Sequence, residues 1–460
     1  MPDRRLHRAG IAIYGMQALG NAAFPLLVIL GLTLLGSRGE DVTRSVVYGA
    51  VGVVIAIVAG YVRWSTTTYR VDERAIHHRT GLVRVRDTDV PLARVEALDV
   101  QQGPLQRLFG VQAVHVQTGG GGKGGEIVLL ALGAADVRAL RERVGVAPPA
   151  PADPGARLRL GMGGLLVAAL TAGQLGIVLP VLAAAFQVFQ QVLEDEGGRR
   201  AVRALPDSAG DWAAVAAVVL GAGWALSVLG SIVAFAGFTA MRDGDRLRIR
   251  RGLLARREAT IPVGRVRAVR VVEGVFRRPF GLAALHVEVA GYADEASAAR
   301  TLFPLVRARA VRAALDAMLP ELADDVEPLE RPPARAWRRY LLVPSLATLA
   351  AGAIAAVVVE SGWPLLAVAA GAAYGQARWR AAGWRLREGR LAIRSLRLAR
   401  VTVLAPAHNR ESHELAQSLL QRRARLADLR VDFGKQTAAR IRHVEEAAAA
   451  DAWEALGASR

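Results

Sequence analysis

The stretch QQGPLQRLFGVQAVHVQTGG, residues 101–120, returns almost intact as VEGVFRRPFGLAALHVEVAG, residues 272–291. Each copy reads as the end of a strand, a tight turn and a second strand, with apolar and polar residues alternating after the turn. Outward from this stretch the match holds without gaps at a constant offset of 171 residues. Gly81 pairs with Gly252, Pro91 with Pro262, Gly103 with Gly274, Arg107 with Arg278, Phe109-Gly110 with Phe280-Gly281, and His115 with His286. A third copy lies at an offset of 315, where Pro91 falls on Pro406, Arg107 on Arg422 and Val116 on Val431. It is degenerate: Gly81 becomes Leu396, and Phe109-Gly110 becomes Ala424-Arg425. Internal repetition of this kind decides the architecture before any motif does.

Within the first copy, TTTYRVDERAIHHR and GLVRVRDTDVPL predict strands turning at Thr80-Gly81, and RVEALDVQQG predicts another that ends at Gly103. PLQRLFG predicts a turn or a single helical turn. VQAVHVQT and EIVLLAL form a hairpin around GGGGKGG, and GAADVRALRERVG closes the unit as a helix with Val137, Leu140 and Val144 on one face.

Ahead of each such block runs a pair of apolar segments, about 10–36 and 46–63, 160–188 and 212–238, 340–359 and 363–378. Each approaches the roughly 20 residues a helix needs to cross a bilayer. The expected organisation is therefore hairpin then domain, three times: hairpins over 1–63, 158–238 and 338–378, domains over 64–148, 239–322 and a diverged 379–457. Proline-rich stretches, APPAPADPGAR and EPLERPPARAW, read as linkers. Composition agrees. Of the 460 residues 52% are apolar and mean hydropathy is +0.26, yet 22% are charged, which suits membrane helices alternating with polar domains. The net charge of +18 asks for a polyanion, lipid headgroups or nucleic acid. Having no cysteine, the chain has no disulfides, iron–sulfur clusters or cysteine zinc sites. The basic start MPDRRLHRAG lacks a small-residue cleavage site after its apolar run and reads as an uncleaved first span.

The run from Tyr69-Arg70-Val71 through Val90-Pro91 and Arg94-Val95 to QGPLQRLFGV and TGG resembles the bacterial PH-like domain type 2, long catalogued as a domain of unknown function. The resemblance covers essentially the whole chain, weakest in the third block. It implies a fold class: an α-helical membrane protein of six spans in three hairpins. These would carry three PH-like domains, each a small antiparallel barrel or sheet with a C-terminal helix. It also implies a smaller one-domain relative as partner, besides self-association.

Basic flanks and a net acidic connector at 191–211 place the N-terminus, the C-terminus and all three domains in the cytoplasm of a bacterial inner membrane protein. GGGGKGG, residues 119–125, fails as a phosphate loop, because no Ser or Thr follows Lys123 and Gln117 stands where a glycine is required. It reads as a hairpin tip whose Lys123 reaches lipid phosphates. The histidines lack metal-ligand spacing, Asp87/Asp89 and Asp324/Asp325 read as solvated turn residues, and no nucleophile motif is present. No catalysis, cofactor or metal is expected.

The repeated turn offers more. Arg107, Arg277-Arg278 and Arg422-Arg423 are candidate contacts for anionic lipid or a partner protein. Gly81, Pro91, Gly103, Phe109, Gly110, Gly252, Pro262, Gly274, Phe280 and Gly281 are positions that hold the fold, with Leu108, Phe109 and Phe280 expected in the core. Trp64, Trp337, Trp379 and Trp384 are expected in an interfacial aromatic belt. The reading is a non-enzymatic membrane scaffold, with nucleic acid excluded as a partner and a role in envelope maintenance. The alternative is a lipid or solute conduit lined by Gln17, Asn21 and Gln174.

Overall fold

A computed structural model describes residues 4–19, 40–82, 84–118, 127–144, 157–171, 209–289, 301–326, 328–434 and 437–458. The first repeat contributes β1 (Arg4–Arg5), β2 (Thr68–Val71), β3 (Ala75–Thr80), β4 (Arg86–Pro91), β5 (Val95–Gln102), β6 (Val111–Thr118) and β7 (Ile127–Gly133). The second contributes β8 (Arg157–Arg159), β9 (Thr239–Asp243), β10 (Arg246–Arg251), β11 (Arg256–Pro262), β12 (Val266–Glu273), β13 (Leu282–Val289) and β14 (Thr301–Arg307). The third contributes β15 (Gly383–Arg387), β16 (Arg390–Leu396), β17 (Arg400–Pro406), β18 (Ser412–Ala416), β19 (Leu426–Asp432) and β20 (Ala438–Glu445).

Local chemistry explains the shared pattern. In β10, Leu247 and Ile249 alternate with arginines, the period-2 pattern of a strand, and Arg248 between them is buried as well, held by Asp243 at 2.8 Å. Gly81 and Gly252 hold φ of +105° and +104° in the hairpins that follow β3 and β10. A Cβ there would lie 2.2 Å from the Arg84 carbonyl oxygen and 2.0 Å from that of Ala255, so only glycine fits. Pro91, Pro262 and Pro406 each precede a three-residue 3-10 turn, and their restricted φ sets the corner that carries the chain into the next strand. A helix closes each repeat as expected: Ala134–Arg143, Val311–Met318 and Glu446–Ala458.

The domains are nevertheless not separate barrels. The strands form four antiparallel sheets, ordered β1-β2-β3-β4, β7-β6-β5-β11-β10-β9-β8, β14-β13-β12-β17-β16-β15, and β18-β19-β20. Every repeat is split across two sheets, and the second halves of the first two repeats are each continued by the first half of the next. The cores follow the sheets. Ala392 and Leu404 of the third repeat belong to the second repeat's apolar cluster, and Ala268 of the second belongs to the third's. The linkers contribute too: β8 pairs with β9, and Glu330 bridges to Trp384.

The expected six spans in three hairpins are not seen. Among the described residues one helical run, Ala334–Val359, is long and apolar enough to cross a membrane. Gly10–Leu19, Ala50–Ser65 and Gly223–Phe235 are shorter apolar stretches. The segment expected as the sixth span begins with a 3-10 turn, Trp363–Leu366, and leaves a helix of 15 residues, Ala367–Ala381, too short for the hydrocarbon core. Residues 20–39 and 172–208, with Asn21 and Gln174, lie outside the described residues. Trp384 also departs from expectation: it is buried in the third repeat's core.

Candidate functional site

The seams between repeats gather the polar residues that the cores reject. In the first seam β11 runs antiparallel to β5, with Arg256 facing Gln102, Arg257 facing Gln101 and Glu258 facing Val100. Asp99, one residue further along β5, is buried and sits diagonally from Arg257. Desolvation raises its pKa, while the hydrogen bond from Gln101 Nε2 (3.2 Å) and the charges of His115, Arg257 and Arg251 pull it back. Burial lowers the Arg251 pKa to about 10, and its guanidinium lies 5.0 Å from the Phe235 ring centroid.

In the second seam β12 runs antiparallel to β17, from Val269 facing Leu404 to Glu273 facing Arg400. Arg400 Nε donates to Glu273 Oε1 at 2.8 Å and Nη2 donates to the other oxygen, a two-pronged bond to a buried carboxylate. At the opposite end of β12, Asn409 Nδ2 donates to the Val266 carbonyl (3.2 Å) and Thr437 Oγ1 donates to Glu288 Oε2 (2.7 Å). Asp325, expected as a solvated linker residue, is instead buried and takes Arg385 Nη2 at 2.9 Å and Arg390 Nε at 3.6 Å. It ties the end of the second repeat to the first strands of the third.

The sequence-predicted arginines fall in three settings: the seam, an apolar helix and the exposed surface. Arg107 Nη1 donates to the carbonyl of Leu253 (3.2 Å), at the β10–β11 hairpin of the next repeat, so it is a seam residue. Arg277 Nη2 and Nε donate to Ala168 O (3.2 Å) and Thr171 Oγ1 (3.1 Å), in and just after the helix Met162–Leu170, and burial lowers its pKa. Arg278, Arg422 and Arg423 are exposed, and Lys123 lies outside the described residues.

The apolar partners of these arginines are not in the core. Leu108 and Phe280 are 77% and 73% exposed, with Phe109, Val275, Phe276, Leu419 and Leu420 also on the surface. A five-residue helix or shorter turn has no second face to bury, so its large side chains project outward. Each turn sits beside its own repeat's first apolar helix. Gly103 and Gln106 share a cavity of roughly 550 Å³ with Tyr14 and Gln17 of Gly10–Leu19. Arg277 binds the Met162–Leu170 helix end, and Arg339 near the start of Trp337–Val359 donates to the Leu420 carbonyl.

Gly103 and Gly274 precede these turns, and Gly110 and Gly281, both at positive φ, end them. His286 packs among Arg270, Arg277 and Arg251; desolvation first, then these charges, lower its pKa to about 4. No cluster of three metal-ligating side chains occurs among the described residues.

Comparison with known proteins agrees with the repeat structure. A family model described as the bacterial PH domain matches three times, over residues 24–146, 164–319 and 341–457. The UPF0699 transmembrane protein YdbT of Bacillus subtilis (strain 168) is 23% identical over 437 residues, covering 88% of this chain and 87% of the relative. The UPF0699 transmembrane protein YdbS of the same organism is 27% identical over 122 residues, 25% of this chain and 77% of that smaller relative. No solved structure matches significantly.

Proposed function

This chain belongs to the bacterial PH domain family, and from that premise we propose that it is a non-enzymatic membrane scaffold. Its three PH-like repeats form one continuous, edge-joined body seated on an anionic bilayer surface. The observation that carries the reading is the seam. Strand pairing between repeats fixes their spacing and order through backbone hydrogen bonds, which suits a rigid platform rather than three independently swivelling binding modules. Neither the family nor its transmembrane relatives are enzyme families.

The three turns supply the seating. Exposed leucine and phenylalanine beside exposed Arg278 and Arg423, next to apolar helices, suit shallow insertion at headgroup level. Each arginine held near an anionic leaflet gains about 1 kcal/mol. In this reading the repeats face the cytoplasm of a bacterial cell membrane, and assembly with like domains serves the upkeep of the envelope. A smaller protein of the kind to which a quarter of this chain is similar would be the partner.

The test is native mass spectrometry of the detergent-solubilised protein offered equal phosphatidylglycerol and phosphatidylcholine. Preferential retention of phosphatidylglycerol that is lost in Arg278→Gln/Arg423→Gln supports the reading. Equal retention of both lipids by the parent protein refutes the anionic-surface part of it.

A further inference from the structure

Both seams join the same two strands in the same register. The third strand of one repeat's first half lies along the first strand of the preceding repeat's second half. Glu258 faces Val100 in one seam, and Thr402, its equivalent, faces Val271 in the other. At the two ends of the chain these strands are left over. β4 and β18 are sheet-terminal, with no strand on their outer edges among the described residues. The edges at β7, β8 and β14 differ, because they end their sheets without an equivalent ever being paired.

We propose that β4 of one chain pairs with β18 of a second copy in the seam register, so that the protein assembles head to tail. This deepens the scaffold reading and rests on it. Carrying the register over sets Arg86 against Ala416, Asp87 against Leu415, Thr88 against Glu414 and Asp89 against His413. Two features of the first seam reappear at these open edges. The diagonal pair Asp99 and Arg257 has Glu414 and Arg86 as its counterparts, again acid and arginine, and both are exposed. The hydrogen bond from Arg107 to the Leu253 carbonyl has Arg422 and Leu82 as counterparts, also exposed.

The charge match is not a general property of the fold, since the second seam has Arg270 and Val401 at the acid and arginine positions. Charged edge strands resist indiscriminate pairing. Here the charges admit one complementary strand, in the manner of β-strand addition. Because the two surfaces differ, the contact is heterologous and builds a ring if its rotation closes, or an open row if it does not.

The chain has no native cysteine, so introduced thiols report cleanly. Two single variants of the full chain, Asp87→Cys and Leu415→Cys, are co-expressed and oxidised in membranes. A two-chain disulfide is expected in the mixture and in neither variant alone. It is lost when Glu414→Cys replaces Leu415→Cys, because a one-residue slip turns the thiol to the opposite face. It is also lost when Arg86→Glu is added, and restored by Glu414→Arg. A third variant, Gln101→Cys/Arg257→Cys, reports the internal seam through an intrachain disulfide. If the internal bond forms and the two-chain bond does not, head-to-tail assembly is wrong while the scaffold stands. If neither forms, the scaffold reading falls as well. Capture by Asp87→Cys of a smaller protein instead of a second copy also overturns the proposal.

Discussion

Glu273 and Arg400 face each other across the second seam, joined by two hydrogen bonds between a buried carboxylate and a guanidinium from different repeats. The pair lies at the end of the shared strand run, where it fixes register as well as contributing energy. A one-residue slip would turn Arg400 to the other face and leave Glu273 unpaired.

Glu273→Ala therefore costs more than a surface ion pair. Removing one partner of a buried pair strands the other, so a loss on the order of 2–3 kcal/mol is expected. Thermal unfolding of the purified protein should show the drop, and Glu273→Gln, which keeps an acceptor, should recover part of it.

His286 makes stability depend on pH in a definite direction. Its pKa falls from 6.5 unfolded to about 4 folded, through desolvation reinforced by Arg270, Arg277 and Arg251. Above pH 6.5 the group is neutral in both states and has no effect. As pH falls from 6.5 towards 4 the unfolded chain takes up the proton first, and stability declines by on the order of 2–3 kcal/mol. The melting temperature measured at pH 7 and pH 4.5 should fall less in His286→Leu than in the parent.

Gly375 brings the Ala367–Ala381 helix against Trp337–Val359. A Cβ at Gly375 would lie 2.5 Å from the Tyr340 carbonyl oxygen, and one at Gly371 would lie 2.6 Å from that of Pro344. Small residues four apart permit this approach of two helix backbones. Gly375→Val should sharply reduce folded yield in size-exclusion chromatography, whereas the exposed Leu366→Val should not.

Asp325 holds the second repeat to the third through Arg385 and Arg390. Asp325→Ala leaves Arg385 without its carboxylate and Arg390 with Glu388 alone, and should destabilise by roughly 3 kcal/mol. Limited proteolysis should show cleavage near residues 326–333 rising before any change in the first repeat.

Much of this fold is local and therefore legible. The offset of 171 pairs Gly81 with Gly252, and the two hold nearly identical φ. The helix that closes the first repeat is likewise readable from the spacing of Val137, Leu140 and Val144. The seams were not. Nothing in RREATIP distinguishes a strand that continues a neighbour's sheet from one that ends its own, because strand patterning reports which face is dry and not which edge is taken. Phe280 and Leu108 misled for a related reason: hydrophobicity in a short turn argues core, and their exposure follows from the turn having no buried face. Apolar runs such as 363–378 passed on composition, whereas the 3-10 turn at Trp363–Leu366 shortens the helix. The arginines stand out by repetition, but whether each is exposed, binds a helix or reaches the next repeat depends on pairings far apart in sequence.

The central claim is that β11 and β17 are interior strands of shared sheets. Peptide-resolved amide hydrogen exchange of the full chain in nanodiscs tests it most directly. Residues 256–262 and 400–406 should be protected like β12, far beyond the sheet-terminal strands β7 and β14. Exchange as fast as in β7 and β14 would mean that each repeat folds as a separate unit and that the shared sheets do not form.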